Sequence, residues 1–306
     1  MHLWLFLQFS LKMRKIPSSF GTHDGTFHAD EVTACALLLL FDLIRENRIR
    51  RTRDPDLLRE CEFVCDVGGV YDPKLKLFDH HQVDYKGELS SAGMVLLYLK
   101  EIYVLKPNEY QFFNESLILG VDAHDNGREQ LATGICTYSH MVANFAPIPY
   151  DAPSEMQDKA FLGAVSFVLG HLRRLWDRYQ YTQSFRTTVE NSMARNQECL
   201  IFDRGIPWIE TFFELNGKEH PALFVIMPSG NHWSLRGIPP TYEDRMNVRF
   251  PLPAEWAGLS EQELKKKSGI PGALFCHKGR FFSVWETKED ALQALKYTLS
   301  RVRDRL

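Results

Sequence analysis

Histidine and aspartate recur along the first half of the chain at places where secondary-structure elements would end. The stretch GTHDGTFHADE, Gly21 to Glu31, holds His23, His28 and Asp30 at the mouth of an apolar helical run. Asp66 follows a strand in VCDVGG, Asp79, His80 and His81 close LFDHH, and Asp122 sits in LGVDAHDNG. Imidazole nitrogens mixed with carboxylate oxygens, with no thiolate among them, suit Mn²⁺, Mg²⁺ or Fe²⁺ better than a structural zinc. So many donors point to two ions, because a carboxylate can bridge a pair. Singly, these residues have plainer uses: an aspartate after a strand caps a helix or starts a turn, and a histidine beside glycines is a hydrogen-bonded loop residue. Their recurrence at successive element ends carries the metal reading.

The elements that must position them alternate in type. A strand ends near Phe20, the run Val32 to Ile44 is long and apolar enough for a buried helix, and IRRTRDP is a short strand closed by Pro55. EFVCDVGG and LKLFDHH are further strands, Ser91 to Tyr103 is a helix, and Ser116 to Gly127 completes the series as a strand end carrying Asp122. Strands alternating with helices predict an α/β fold with a doubly wound, mostly parallel sheet. In such a sheet, groups at the carboxyl ends of the strands converge on one crevice. From Gln157 to Gln197 the pattern is helical, broken around Tyr179 to Thr182, and its basic segment HLRRLWDRY reads as a solvated helix face. CLIFDRG, ALFVIMP, SLRGIPP and GALFCHKGRFFSVW are strand-like, and an amphipathic helix from Lys288 to Arg303 follows. The organisation expected is a leader over 1–20, a metal-binding catalytic domain over 21–150, connecting helices over 151–198, and a smaller α/β domain over 199–306 across a cleft.

Bulk properties narrow the class. At 306 residues the chain exceeds the size at which a single core usually keeps growing, so two domains are expected. Its 44% hydrophobic, 25% charged and 12% aromatic residues describe a globular protein without a disorder signature. A net charge of −3 excludes a globally basic nucleic-acid binder but leaves room for a local basic groove. The six cysteines lack both the density of a disulfide scaffold and a C-x-x-C spacing, which fits a reducing, cytoplasmic compartment. Cys61 and Cys65 read as buried thiols. The opening MHLWLFLQFS is too short to span a bilayer and lacks the features of a signal peptide. An upstream start, with Met13 the initiator, would explain it. No membrane association is expected, and an exposed apolar helix would permit a homodimer.

The order His23…His28-x-Asp30, Asp66, Asp79-His80-His81, Asp122 resembles the DHH superfamily of metal-dependent phosphoesterases. More narrowly, GTHDGTFHADE, RTRDP, DVGGVYDP, FDHHQ, LSSAG, VDAHDNG and KKKSGIPGALFCH resemble the MYG (melanocyte proliferating gene) family, from about Gly21 to the C-terminus. That family is similar in fold to manganese inorganic pyrophosphatases and RecJ-type exonucleases. The resemblance implies a two-metal phosphodiesterase that degrades single-stranded RNA or short oligonucleotides in the 3′-to-5′ direction, with Mn²⁺ ahead of Mg²⁺ as its pair of ions. By position, His23, His28 and Asp66 would hold one ion and Asp30, Asp66, His80 and Asp122 the other, with Asp66 bridging. His81 would face the scissile phosphate and Asp79 would orient His80. Ser91 of LSSAG is carried over as a substrate contact.

The second domain would supply substrate recognition. PSGNHWSLRGIP and KKKSGIPGALFCHKGRF combine glycines, among them Gly272, that admit backbone close to a phosphate, with Arg236, His277, Lys278 and Arg280 as anion partners. Trp233 and Phe281 could stack on bases or serve the core. Two other functions fit the same residues: hydrolysis of a small phosphate such as pyrophosphate or a dinucleotide, and metal or RNA binding without turnover.

Overall fold

In the computed structural model, residues 15–303 other than 131, 196 and 246 are described, and two compact units, Met1–Trp176 and Asp177–Leu306, divide the chain. The expected leader falls mainly outside the described residues. Its last residues are part of the first strand, because Ile16 already pairs with Cys61.

The first unit runs β1 (Ile16–Thr22), α1 (Ala29–Leu40), β2 (Ile49–Arg51), α2 (Pro55–Arg59), β3 (Cys61–Cys65), β4 (Tyr71–Asp72), β5 (Leu77–Phe78), α3 (Ser91–Glu101), α4 (Pro107–Phe113), α5 (Leu119–Asp125), α6 (Tyr138–Ala143) and α7 (Ser154–Gln183). The strand order is β2-β1-β3-β5-β4, with every pairing parallel except β4 with β5. Helix α1 begins three residues before the apolar run. His28 takes an extended N-cap conformation there, and its backbone N–H donates to the Glu31 carboxylate at 2.9 and 3.0 Å. It stops at Leu40, where Asp42 turns the chain with φ 56°. Because Val32, Ala34, Cys35, Ala36, Leu37 and Leu38 are all fully buried, α1 is buried on every face beyond its polar first turn. Each large aliphatic there contributes about 1.5–3 kcal/mol by leaving water. Phe20, Phe63 and Phe78 of the sheet share this core with α1, α3, α5 and the Phe161–Val168 turns of α7. A smaller cluster forms around Leu58, Cys61 and Val64.

Two sequence expectations change here. Ser116–Gly127 is helical, a wide π-type turn at Asn114–Ile118 leading into α5, and not a strand end. Leu117, Ile118 and Val121, all buried, recur at the spacing of one helical face, and that period outweighs their strand-like composition. Helix α7 continues unbroken through Tyr179–Thr182, because buried Leu172 and Tyr179 lie two turns apart while Arg173, Arg174 and Arg178 stay exposed. The interruption comes at Ser184–Phe185.

The second unit contains α8 (Arg186–Met193), β6 (Cys199–Ile201), α9 (Ile209–Glu214), β7 (Phe224–Ser229), β8 (His232–Gly237), α10 (Glu261–Ser268), β9 (Ala273–Cys276), β10 (Phe282–Trp285) and α11 (Lys288–Arg303). Its sheet, ordered β6-β7-β8-β10-β9, has one parallel pair, β6 with β7, and three antiparallel pairs. Trp256, Trp285, Phe224 and Leu235 form its core with Ala291, Ala294 and Leu295 of α11. All six cysteines are free, and only Cys136 is exposed. Among the described residues, no helix is long and apolar enough to cross a membrane.

Candidate metal centre

The neighbouring parallel strands β1, β3 and β5 deliver His23, Asp66 and the Asp79-His80-His81 run to one edge of the first sheet. Asp66 is at the middle. Its Oδ2 lies 3.2 Å from His23 Nε2, while its Oδ1 is 3.5 Å from His80 Nε2 and 3.3 Å from His81 Nδ1. Its backbone is left-handed, φ 57°, a conformation that costs a non-glycine residue roughly 1 kcal/mol or more and collects at functional sites. Helix α1 brings His28 at its N-cap and Asp30 and Glu31 in its first turn.

Three sets of donor atoms close to within 4.8 Å of one another: His23, His28, Glu31 and Asp66; Asp66, His80 and His81; and His28, Asp30 and Asp125. Of the six residues expected to bind metal, five are therefore brought together: His23, His28, Asp30, Asp66 and His80. Asp122 is absent from these sets. Its Oδ1 accepts from Ser90 N–H at 3.0 Å, Ser90 Oγ at 2.7 Å and Gly93 N–H at 3.2 Å, which ties α5 to the start of α3. A Cβ on Gly93 would stand 2.3 Å from Asp122 Oδ2, so the glycine of LSSAG exists to seat this carboxylate. Asp125 stands at the centre instead, its Oδ2 3.0 Å from His80 Nε2. Read as a helix, DAHDNG would have signalled Asp125, which lies on the same face as Asp122 three residues on.

Charge explains the ionisation of the group. Burial opposes a charge on His23, yet its hydrogen bonds with Asp66 and Glu31 push the pKa up to about 10. For His80 the Asp125 carboxylate is the main cause, followed by Asp66, and its pKa also rises to about 10. Burial would raise Asp66, but His23 and His80 overcome it and hold the carboxyl down at about 2. Asp30 is 0% exposed; burial first, then the Glu31 and Asp66 charges, drives its carboxyl well above the ordinary range. Asp30 Oδ1, Asp66 Oδ1, His80 Nε2 and Asp122 Oδ2 are buried without a directed hydrogen bond. Buried donors and acceptors left so are costly unless something else satisfies them, and a cation bound by imidazole and carboxylate would do so. The donor set thus fits divalent ions of the Mn²⁺ and Mg²⁺ type.

Around this centre lies a cavity of about 740 Å³, with His81, His28, Arg53, Gly68 and Gly69 in its lining. His81 has 64% of its side chain exposed. Its Nδ1 is held 2.9 Å from Asp79 Oδ1, which leaves Nε2 for the cavity. Asp79 is buried; its Oδ1 also accepts the His81 backbone N–H at 3.0 Å and its Oδ2 the Gly69 N–H at 2.5 Å. It therefore orients His81, and not His80 as the sequence reading has it. Arg53 is the one lysine or arginine among the described lining residues. It pairs with Asp24 at 3.3 Å with 65% of its side chain exposed.

The expected substrate contacts divide. Ser91 is 0% exposed, donates its hydroxyl to Phe78 O at 2.8 Å and its N–H to Asp30 Oδ2 at 3.3 Å, and so holds Asp30 from within the core. In the second unit, Arg236 lies over the Phe281 ring at 6.0 Å and His277 packs on the same ring at 4.4 Å, with Lys278 exposed beside them. Gly272 is buried, and a Cβ there would meet Asp290 Oδ2 at 2.0 Å, so it makes room for the first turn of α11. It does not join Arg236 and His277.

Residues 19–299 match the MYG1_exonuc family, described as an uncharacterised protein family (UPF0160). The chain is 51% identical over 285 residues to a MYG1 protein of Chlamydia pneumoniae, covering 93% of this chain and 98% of that one. It is 32% identical over 327 residues to a human protein named MYG1 exonuclease, covering 93% and 86%. The crystal structure of exonuclease RecJ bound to manganese aligns over 94% of this chain and 90% of that one at 15% identity, with a TM-score of 0.27, too low to carry an argument.

Proposed function

The chain belongs to the MYG1_exonuc family, and from that premise we propose that it is a metal-dependent exonuclease that hydrolyses phosphodiester bonds, removing nucleotides from single-stranded RNA in the 3′-to-5′ direction. Asp66 carries the reading, with one carboxylate oxygen facing His23 and the other facing His80 and His81. His23, His28 and Asp66 would hold one ion; Asp66 and His80, together with Asp30 and Asp125 of the neighbouring cluster, would hold the other, Asp125 standing where Asp122 was expected. Two such cations, Mn²⁺ in preference to Mg²⁺, would lower the pKa of a bound water and neutralise charge on phosphoryl oxygens.

The chain's own residues do the rest. Asp79 accepts the Nδ1 proton of His81 and fixes its ring, so that Nε2 is aimed into the cavity, where it donates to a phosphoryl oxygen or to the departing ribose oxygen. Arg53, at the rim of the cavity, attracts the phosphate backbone. Arg236, His277 and Lys278 provide a further cationic and aromatic surface for RNA, and the cytoplasm is the compartment in which we place the reaction.

The test is an end-labelled single-stranded RNA incubated with Mn²⁺, Mg²⁺ or EDTA. A 5′ label is expected to give a metal-dependent ladder of shortening products, and a 3′ label to be released at once as a mononucleotide. RNA left intact with every divalent ion would overturn the proposal, and release of a 5′-labelled mononucleotide would reverse the polarity.

A further inference from the structure

A second cavity, about 360 Å³, lies against the metal cavity and shares Gly25 and Thr26 with it. The shared wall is pinned from behind. Arg51, whose side chain is 2% exposed, donates to the Gly25 carbonyl and pairs with Asp158 Oδ1 at 2.9 Å, its guanidinium 4.8 Å from the Phe161 ring centroid. The far side of the cavity is the segment between α6 and α7, where Pro147, Pro149 and Pro153 restrict the backbone. Two large side chains in this stiff segment stand in water, Ile148 at 94% and Tyr150 at 106% exposure. Gln157 lines the cavity, and its Oε1 is buried without a hydrogen-bond partner, while its amide nitrogen donates to Ala152 O at 2.9 Å. It sits close behind Gly25, 3.9 Å from where a Cβ would be.

A ligand matched to these walls is flat and largely apolar on its faces, carries an N–H donor at its edge, and is attached to something that reaches the metal cavity. A nucleobase joined to the phosphate being cleaved has those properties. We propose that this cavity receives the base of the nucleotide next to the scissile phosphate, with Tyr150 stacking on its face and Gln157 Oε1 accepting from its edge. The proposal rests on the reading of the metal centre as a phosphodiesterase. All four RNA bases offer an N–H donor on the Watson–Crick edge, so one acceptor and one aromatic face register the presence of a base more than its identity.

The experiment compares two single-stranded RNAs that differ only at the terminal residue, one with a base and one abasic. Wild type is expected to cleave the abasic substrate about tenfold to a hundredfold less efficiently, as loss of one stacked base implies. Tyr150→Ala should erase that preference and Tyr150→Phe should keep it. Tyr150 is fully exposed, so neither change threatens the fold. In parallel, RNA ending in 2-aminopurine is bound to protein carrying Asp66→Asn, with and without Tyr150→Ala. Quenching that depends on Tyr150 supports the subsite without requiring cleavage. A base preference or quenching that survives Tyr150→Ala would overturn it and leave Ile148 and Tyr150 as a surface for another macromolecule. Tyr150-dependent quenching with no cleavage of either RNA would leave the base subsite standing and overturn the phosphodiesterase reading instead.

Discussion

The two sheets place side chains by different rules. In the first, β1, β3 and β5 are adjacent and parallel, so His23, Asp66 and Asp79-His80-His81, each following its own strand, arrive at one edge. In the second, three of four pairings are antiparallel, and residues that follow successive strands go to opposite edges. Gly272 and His277 bracket β9, and at about 3.3 Å per residue roughly 16 Å of chain separates them. Convergence of strand-end motifs is thus a property of parallel sheets, and grouping residues by motif works in the first unit and fails for Gly272 in the second.

The sharpest way to break this contrast is at Asp66. Asp66→Asn should cost at least about a thousandfold in RNA hydrolysis, roughly 4 kcal/mol of barrier, with the circular dichroism of the folded protein retained. A variant that keeps most of its activity would remove the convergence argument. Next comes the pair on α5. Asp125→Asn should lower activity by about a hundredfold through weaker metal binding while leaving denaturant stability nearly unchanged. Asp122→Ala should instead destabilise by about 1–3 kcal/mol, because Ser90 and Gly93 lose their acceptor. Equal effects on both readouts at the two positions would contradict the division of roles.

His81→Ala should reduce kcat by about a hundredfold to ten-thousandfold and leave metal uptake, followed by titration calorimetry, as in wild type. The smallest effects separate the two units. Gly93→Ala and Gly272→Ala should each cost about 1–3 kcal/mol by overpacking, the first against Asp122 and the second against Asp290. Only Gly93→Ala should also weaken metal binding, since α3 and α5 carry the groups that position Asp30 and Asp125. Urea titrations paired with Mn²⁺ binding on the two variants would show this.

Much of the first unit was legible because its signals are local. Strand-to-loop transitions at Thr22, Cys65 and Phe78 follow apolar runs directly, and the residue after each is the one delivered to the shared edge. The α5 segment was misread because Leu117, Ile118 and Val121 look like a strand by composition and betray a helix only by spacing. A strand reading brings Asp122 to the centre and hides Asp125, which only the helix places within 3.0 Å of His80. Asp79 meets His81 and not His80, and its sequence adjacency to both does not say which ring its carboxylate meets. Ser91 reads as a substrate contact because nothing in LSSAG announces that α3 begins inside the core. The second unit was legible as a fold, through its strand and helix periods. Its side-chain contacts were not, because one such as Arg236 with Phe281 depends on the register of β8 against β10.

The most direct test of a centre built around Asp66 is electron paramagnetic resonance of the Mn²⁺-loaded protein, with metal content measured on the same sample. Two Mn²⁺ per chain with the spectrum of an exchange-coupled pair, collapsing to uncoupled signal in Asp66→Asn, is the predicted result. A single uncoupled Mn²⁺ per chain in wild type would contradict the account.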